Sequence, residues 1–173
     1  MMSQFAFPKV YLRALEPEDL DVLYDVENDM SLWNVSCTNV PYSRSTLIDY
    51  ITSSKNDIYS DRQVRLMAEN DLHEVVGIVD IVNYDPQHAR AEVGIVVREA
   101  FRQQGYATAI MTAIMEYVTK IIHLHQIYAI IAENNLGCLN LFKKLGFQGD
   151  RILKEWLFDG EKYQDAYFMQ KFL

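Results

Sequence analysis

Arg102-Gln103-Gln104-Gly105-Tyr106-Ala107 separates an apolar stretch carrying Val93, Ile95 and Val97 from a helically periodic run that continues to about Ile122. A strand that stops, a glycine that frees the backbone, and a helix whose first amides have no intrahelical acceptor together make an anion cradle. The neighbouring Arg98 and Arg102 add positive charge to that turn. Ahead of it, residues 91–97 read as a strand, and alternation puts Glu92, Gly94 and Val96 on one face and Val93, Ile95 and Val97 on the other. A carboxylate aimed beside such a turn is a candidate general base, or else the partner of Arg90 or of a cross-strand arginine. Gly94 within a strand reads as a bulge or as a close approach by a ligand or another backbone.

The elements that must hold these groups can be read in order. Residues 10–14 form a short strand, and Pro17 opens a helix whose apolar face is Leu20, Leu23 and Tyr24. Its other face is acidic, for Glu16, Glu18, Asp19, Asp21, Asp25, Glu27 and Asp29 fall between Arg13 and Arg44 with no basic residue among them. That pattern fits either a solvated face with acids at a positive helix end or an electronegative lip that attracts an amine. Pro41 and Ser43 signal a turn and a cap before a second helix over residues 46–51, with Leu47, Ile48 and Ile51 inward. The segment around Trp33 to Tyr59 is the expected lid or substrate wall, with Trp33 itself read as core. Residues 62–68 and 75–82 predict an antiparallel pair.

Beyond the cradle, Ala107, Ile110, Met111, Ile114, Val118 and Ile121 keep a 3.6-residue period along one long helix. Residues 127–132 then read as a strand, so the unit is strand, helix, strand, with the two strands parallel. Residues 135–145 predict a helix that buries Leu139, Phe142 and Leu145 and stops at Gly146. Residues 153–157 and 163–172 predict a closing hairpin around Asp159-Gly160.

With 173 residues, half of them hydrophobic, the chain is sized for one domain over residues 1–173 that needs no metal or disulfide staple. Cys37 and Cys138 lie far apart and the histidines are scattered, so no metal site is expected. Cys138 reads as a packing residue, and His123 and His125 as surface or capping groups. The first residues show neither a basic opening nor a long apolar run, which predicts a reduced, cytoplasmic protein with no membrane partner. A net charge of −8 argues against nucleic-acid binding and suits a cationic substrate better.

The RQQGYA stretch resembles the Arg/Gln-x-x-Gly-x-Gly/Ala motif of the GNAT superfamily of N-acetyltransferases. RAEVGIVV, residues 90–97, is similar to that family's fourth strand, and NNLGCLNLFKKLGF, residues 134–147, to its later motif of an Asn, a small residue and a helix ending in Gly-Phe. VYLRALEPEDLDVLYDVEND at residues 10–29 and DGEKYQDAYFM at residues 159–169 resemble the subgroup that contains ribosomal-protein and spermidine acetyltransferases. The resemblance implies an α/β (mixed α+β) GNAT-like domain, with a twisted mixed sheet of about six or seven strands splayed between the fourth and fifth and about four flanking helices. It implies acetyl-CoA as cosubstrate, with its pyrophosphate on Arg102, Gln103, Gln104, Gly105, Tyr106 and Ala107. The same resemblance has backbone groups of Ile95, Val96 and Val97 pairing with pantetheine, and Asn135 and Phe142 lining the thioester side. The acceptor it implies is a small amine, a polyamine such as spermidine, or a peptide N-terminus; homo-oligomerisation is left open.

The implied reaction is direct attack of a neutral amine on the thioester. Removing the proton of an amine with a pKa near 10.4 costs about 4–5 kcal/mol at pH 7, and a general base recovers about 10²–10⁴ in rate. Glu92 is the candidate. Phe142 stands where the family helix usually has a Tyr that serves the leaving thiolate, so Tyr128, Tyr163 and Tyr167 become alternatives that depend on the fold. The same substitution suits a degenerate acyl-CoA-binding sensor, the competing reading.

Overall fold

The computed structural model describes residues 7–32, 40–55 and 57–173. Its strands are β1 (Tyr11–Ala14), β2 (Val64–Glu69), β3 (Val75–Asp85), β4 (Arg90–Val97), β5 (Gln126–Ala132), β6 (Gln148–Phe158) and β7 (Tyr163–Phe172). They form one sheet in the order β1-β2-β3-β4-β5-β7-β6. Every neighbouring pair is antiparallel except β4 and β5, which run parallel as the strand–helix–strand reading requires. The helices are α1 (Leu20–Glu27), α2 (Arg44–Ser53), α3 (Ile58–Asp61), α4 (Tyr106–Tyr117) and α5 (Leu136–Lys144). The result is the expected mixed α/β architecture, with seven strands and, among the described residues, five α-helices.

The two faces of the sheet carry different helices. On one, Ile110, Met111 and Ile114 of α4 and Leu139 and Phe142 of α5 pack over Val79, Ile81, Val93, Ile127 and Ile131. On the other, Leu23 of α1 and Leu47 and Ile51 of α2 pack over Met67 and Ile78. Each such side chain removed from water contributes about 1.5–3 kcal/mol, so helix placement follows from which strand positions are apolar. Ser43 caps α2 by accepting from the Thr46 amide at 3.1 Å, which sets where that helix begins.

Four expectations are corrected. Ile121 is 61% exposed and Ile122 takes the buried place, because residues 118–122 form a π-helical turn whose wider spacing advances the inward position by one. Ile48 is 45% exposed, since α2 touches the sheet through a single i, i+4 stripe, Leu47 and Ile51. β3 and β4 keep unbroken register through Asp80–Gly94, so Gly94 is no bulge; the irregularity falls between Val82 and Asp85. Finally, β6 starts at Gln148 and is an edge strand, its length hidden in the sequence by polar residues on both faces.

Candidate active site

The site begins where two strands part. β4 and β5 pair only through Arg90–Gln126, Ala91–Ile127 and Glu92–Tyr128, although β4 continues to Val97 and β5 to Ala132. Beyond Glu92 the facing edges therefore diverge into a V-shaped cleft whose walls are strand backbone. Such edges offer amide and carbonyl groups at strand spacing to any extended chain that carries its own amides. Ile95, Val96 and Val97 lie on the β4 wall. Gly94 shares the face of Glu92, and a Cβ built on it would meet nothing within 4 Å, so that face is open beside the cleft.

At the wide end lies the glycine turn. A short 3-10 turn, Glu99–Phe101, follows β4; Gln103 and Gly105 then take positive φ, 60° and 87°, and α4 starts at Tyr106. Ala109 donates to the Gly105 carbonyl at 3.1 Å, and the amides before it sit at the positive end of a 12-residue helix without an intrahelical acceptor. Any Cβ at position 105 would lie 3.1 Å from Pro8 Cδ in addition to the strain of that φ. Arg102 Nε donates to the Val97 carbonyl at 3.0 Å and Gln104 Nε2 to the Ala100 carbonyl at 2.8 Å, bracing the turn against the strand it leaves. Arg98 is directed elsewhere: it donates to the Val75 carbonyl at 2.7 Å and lies over the Phe101 ring. Unpaired amides at one end and unpaired strand edges along the walls suit a ligand with a phosphate head and an amide-bearing tail.

Glu92 sits at the narrow end. Its carboxylate accepts from Asn83 Nδ2 at 2.9 Å, while Arg90 turns to Asp85 at 3.2 Å, so the ion pair with Arg90 weighed from sequence is not formed. Asn83 reaches it because the backbone there takes a φ of 52° at the β3 irregularity. Tyr128, paired directly with Glu92, stacks on Phe168 at 5.0 Å and lines a concavity of about 510 Å³ together with Arg90, Gln126, Arg151 and Trp156. Burial, and after it the negative charge of Glu92, raises the Tyr128 phenol above its ordinary value. The Glu92–Tyr128 juxtaposition is a matter of strand register between segments 36 positions apart, a signal the sequence did not carry.

On the far wall, Asn135 caps α5 by accepting from the Cys138 amide at 3.2 Å. Phe142 is 1% exposed with its ring 4.7 Å from that of Phe147, an apolar core contact. Burial pushes the Cys138 thiol up to about 11, so it stays protonated near neutrality and packs, as expected.

The acidic stretch is largely spoken for. Asp19, 4% exposed, is gripped by Arg13 at 2.7 and 2.8 Å; Asp21 pairs with Arg44; and Glu27 lies 2.5 Å from Arg65, which also forks onto Asp80 at 2.7 and 3.0 Å. Burial opposes the charge on Arg65, but Asp80 and Glu27 outweigh it and raise the guanidinium above its ordinary value. Asp19 and Glu27 therefore fasten the α1 segment to β1 and β2 of the sheet, and Asp21 ties it to α2. Asp80 is nevertheless the register partner of Gly94, so this network borders the open face beside Glu92. Within the expected lid, Trp33 and the rest of residues 33–39, with residue 56, lie outside the described residues. Among the described residues no group of three His, Cys, Asp or Glu is placed to hold a metal, and no helix is long and apolar enough to cross a membrane.

Known proteins share this arrangement. A family model described as an acetyltransferase (GNAT) domain matches residues 9–148. A spermidine N(1)-acetyltransferase of Escherichia coli strain K12 is 27% identical over 157 residues, covering 91% of this chain and 82% of that one. The crystal structure of a spermidine N-acetyltransferase from Vibrio cholerae in complex with CoA and spermine superposes with a TM-score of 0.84 at 25% identity, over 95% of each chain. A dodecameric structure of the spermidine N-acetyltransferase from that organism gives a TM-score of 0.78 at 25% identity, over 95% of this chain and 94% of that one.

Proposed function

This chain belongs to the acetyltransferase (GNAT) family of N-acetyltransferases, and we propose that it moves the acetyl group of acetyl-CoA directly onto a primary amine of a polyamine such as spermidine. The observation that carries the reading is the parting of β4 and β5 immediately after Glu92, with the amide-lined turn at the cleft's other end. The likeness to a spermidine acetyltransferase and to a structure solved with CoA and spermine supports the cosubstrate and the acceptor class. The dodecameric relative supports homo-oligomerisation as part of the same reading.

In this reading the amides from Gln103 to Ala107, with Arg102, hold the pyrophosphate, and the backbone of Ile95, Val96 and Val97 pairs with pantetheine. Asn135 and Phe142 shape the far wall. Acetyl-CoA supplies an activated thioester. Glu92 takes the proton of the incoming ammonium, directly or through water, so that the amine nitrogen is free to attack. Asn83 holds one carboxylate oxygen, and the neighbouring Gly94 on the same face leaves open space beside it. The Asp80–Arg65 pair borders the open face at Gly94, and the chain's net charge of −8 draws a polycation toward it.

A specific observation favours the sensor reading as the second: the buried Phe142 gives α5 no hydroxyl to offer the site. Free-thiol release from acetyl-CoA, measured with spermidine, spermine, simple monoamines and N-terminal peptides, separates the readings. Turnover greatest with polyamines is expected. Turnover confined to peptides would move the acceptor to protein N-termini, and tight acetyl-CoA binding without turnover on any amine would favour the sensor.

A further inference from the structure

We propose that Tyr128 is a catalytic residue, the acid that gives its phenolic proton to the departing thiolate; this rests on the acetyltransferase reading above. The placement of its ring is the first support. Glu92–Tyr128 is the last pair before the strands part, and directly paired residues share a face, so carboxylate and phenol flank the narrow end of the cleft together. From that pair to Val97 is about 16 Å at the rise of a strand, with the anion cradle just beyond. A chain anchored there by its phosphates and lying along the cleft brings its reacting end to Glu92 and Tyr128.

The phenol is also the right donor. Its hydroxyl has no hydrogen-bond partner among the described residues, while the ring is held on Phe168 at 5.0 Å and faces the concavity. Its competitors are badly placed. Phe142 has no hydroxyl, Tyr163 is 65% exposed on the β6–β7 hairpin, and Tyr167 pairs with Ile131, which puts it on the opposite face of the sheet. Burial and the neighbouring Glu92 keep the phenol protonated, so it has a proton to donate and cannot serve as the base.

The step balances within this pair. A bond forms between the amine nitrogen and the acetyl carbon, the carbon–sulfur bond breaks, and its electron pair stays on sulfur, which takes the Tyr128 proton. The proton that Glu92 took from the ammonium leaves to solvent; the surplus proton of the nitrogen after attack then passes to Glu92, and from Glu92 back to the phenolate, directly or through water. The products are the N-acetylated amine and a free thiol, with both residues restored.

The test uses the full chain, wild type and Tyr128→Phe. By calorimetry the wild type is expected to bind CoA more tightly than desulfo-CoA by about 3- to 10-fold, the worth of one hydrogen bond to sulfur, and Tyr128→Phe is expected to erase that preference while leaving desulfo-CoA binding unchanged. Polyamine turnover should fall about 100-fold in Tyr128→Phe. An unchanged preference and unchanged turnover in Tyr128→Phe overturn the role of Tyr128 but leave the acetyltransferase standing. Equal weakening of both ligands with a lowered Tm makes Tyr128 structural and also overturns it. Absence of wild-type turnover on every amine overturns the underlying reading and this step with it.

Discussion

At the scale of single residues, the site turns on Glu92. Its carboxylate is held by Asn83 and is not neutralised by Arg90, whose guanidinium goes to Asp85. A carboxylate so placed helps most when the acceptor arrives as an ammonium, and this makes its role readable from a pH profile. Glu92→Gln should lower kcat/KM for spermidine by about 10²-fold near pH 7. The deficit should shrink toward pH 10, where a growing share of the amine is already neutral. A deficit that stays constant across that range would remove Glu92 from proton transfer. The conservative change preserves the amide hydrogen-bonding shape, so a lowered melting temperature is not expected.

At the scale of elements, α1 is tied to the sheet by charge as well as by Leu23. Asp19 ends the 3-10 turn that precedes α1, accepts from the Glu16 amide at 2.9 Å, and receives the Arg13 fork. Burial works against its ionisation, but Arg13 and the Glu16 amide prevail and hold its carboxyl below the ordinary value. The sign follows from linkage. A lowered folded pKa contributes stability that is present in full above the ordinary carboxylate value near 3.9, and that contribution is lost as the pH falls through the lowered folded value. Asp19→Asn should therefore cost about 2–3 kcal/mol at pH 7, by leaving Arg13 without its buried partner. The gap between variant and wild type should close on acidification below about pH 4. Urea midpoints measured from pH 7 to pH 2.5 provide the check, and a gap that persists undiminished at the acid end would contradict the assignment.

At the scale of the whole molecule, a net charge of −8 surrounds a cleft whose inner turn is locally positive. In the proposed function the two regions serve different ligands: helix-terminal amides hold a phosphate, and the long-range field draws the amine. Salt should therefore act mainly on the acceptor. Raising ionic strength from about 0.05 to 0.3 M shortens the screening length to well below the size of the domain. The KM for spermine is expected to rise several-fold over that range, and that for a monoamine to change little, in initial-rate measurements at saturating acetyl-CoA. Equal salt sensitivity for monoamine and tetra-amine would mean that the field does not select the acceptor. The sheet face that carries Tyr128 and Phe168 also runs out to the edge strand β6, where Trp156 is 56% exposed.

How much of this was legible beforehand divides along a physical line. Local rules settled what depends on neighbours in the chain: the glycine at the turn, the cap at Ser43, the amphipathic period of α4, and the alternation that puts Glu92 beside Gly94. They failed where the period itself changed, at the π turn that exchanges Ile121 for Ile122, because no residue there announces a wider helix. They left two readings of the α1 acids side by side and could not name their partners, since Arg13, Arg44 and Arg65 include one about forty positions away. The sequence by itself determined the family and named the candidate cradle and base, since each is carried by short runs of neighbouring residues. Only the tertiary structure decided that β4 and β5 part at Glu92, that Arg90 leaves Glu92 for Asp85, and that Tyr128 stands opposite the base, because strand register and ion pairing are set by packing between segments that the chain keeps far apart.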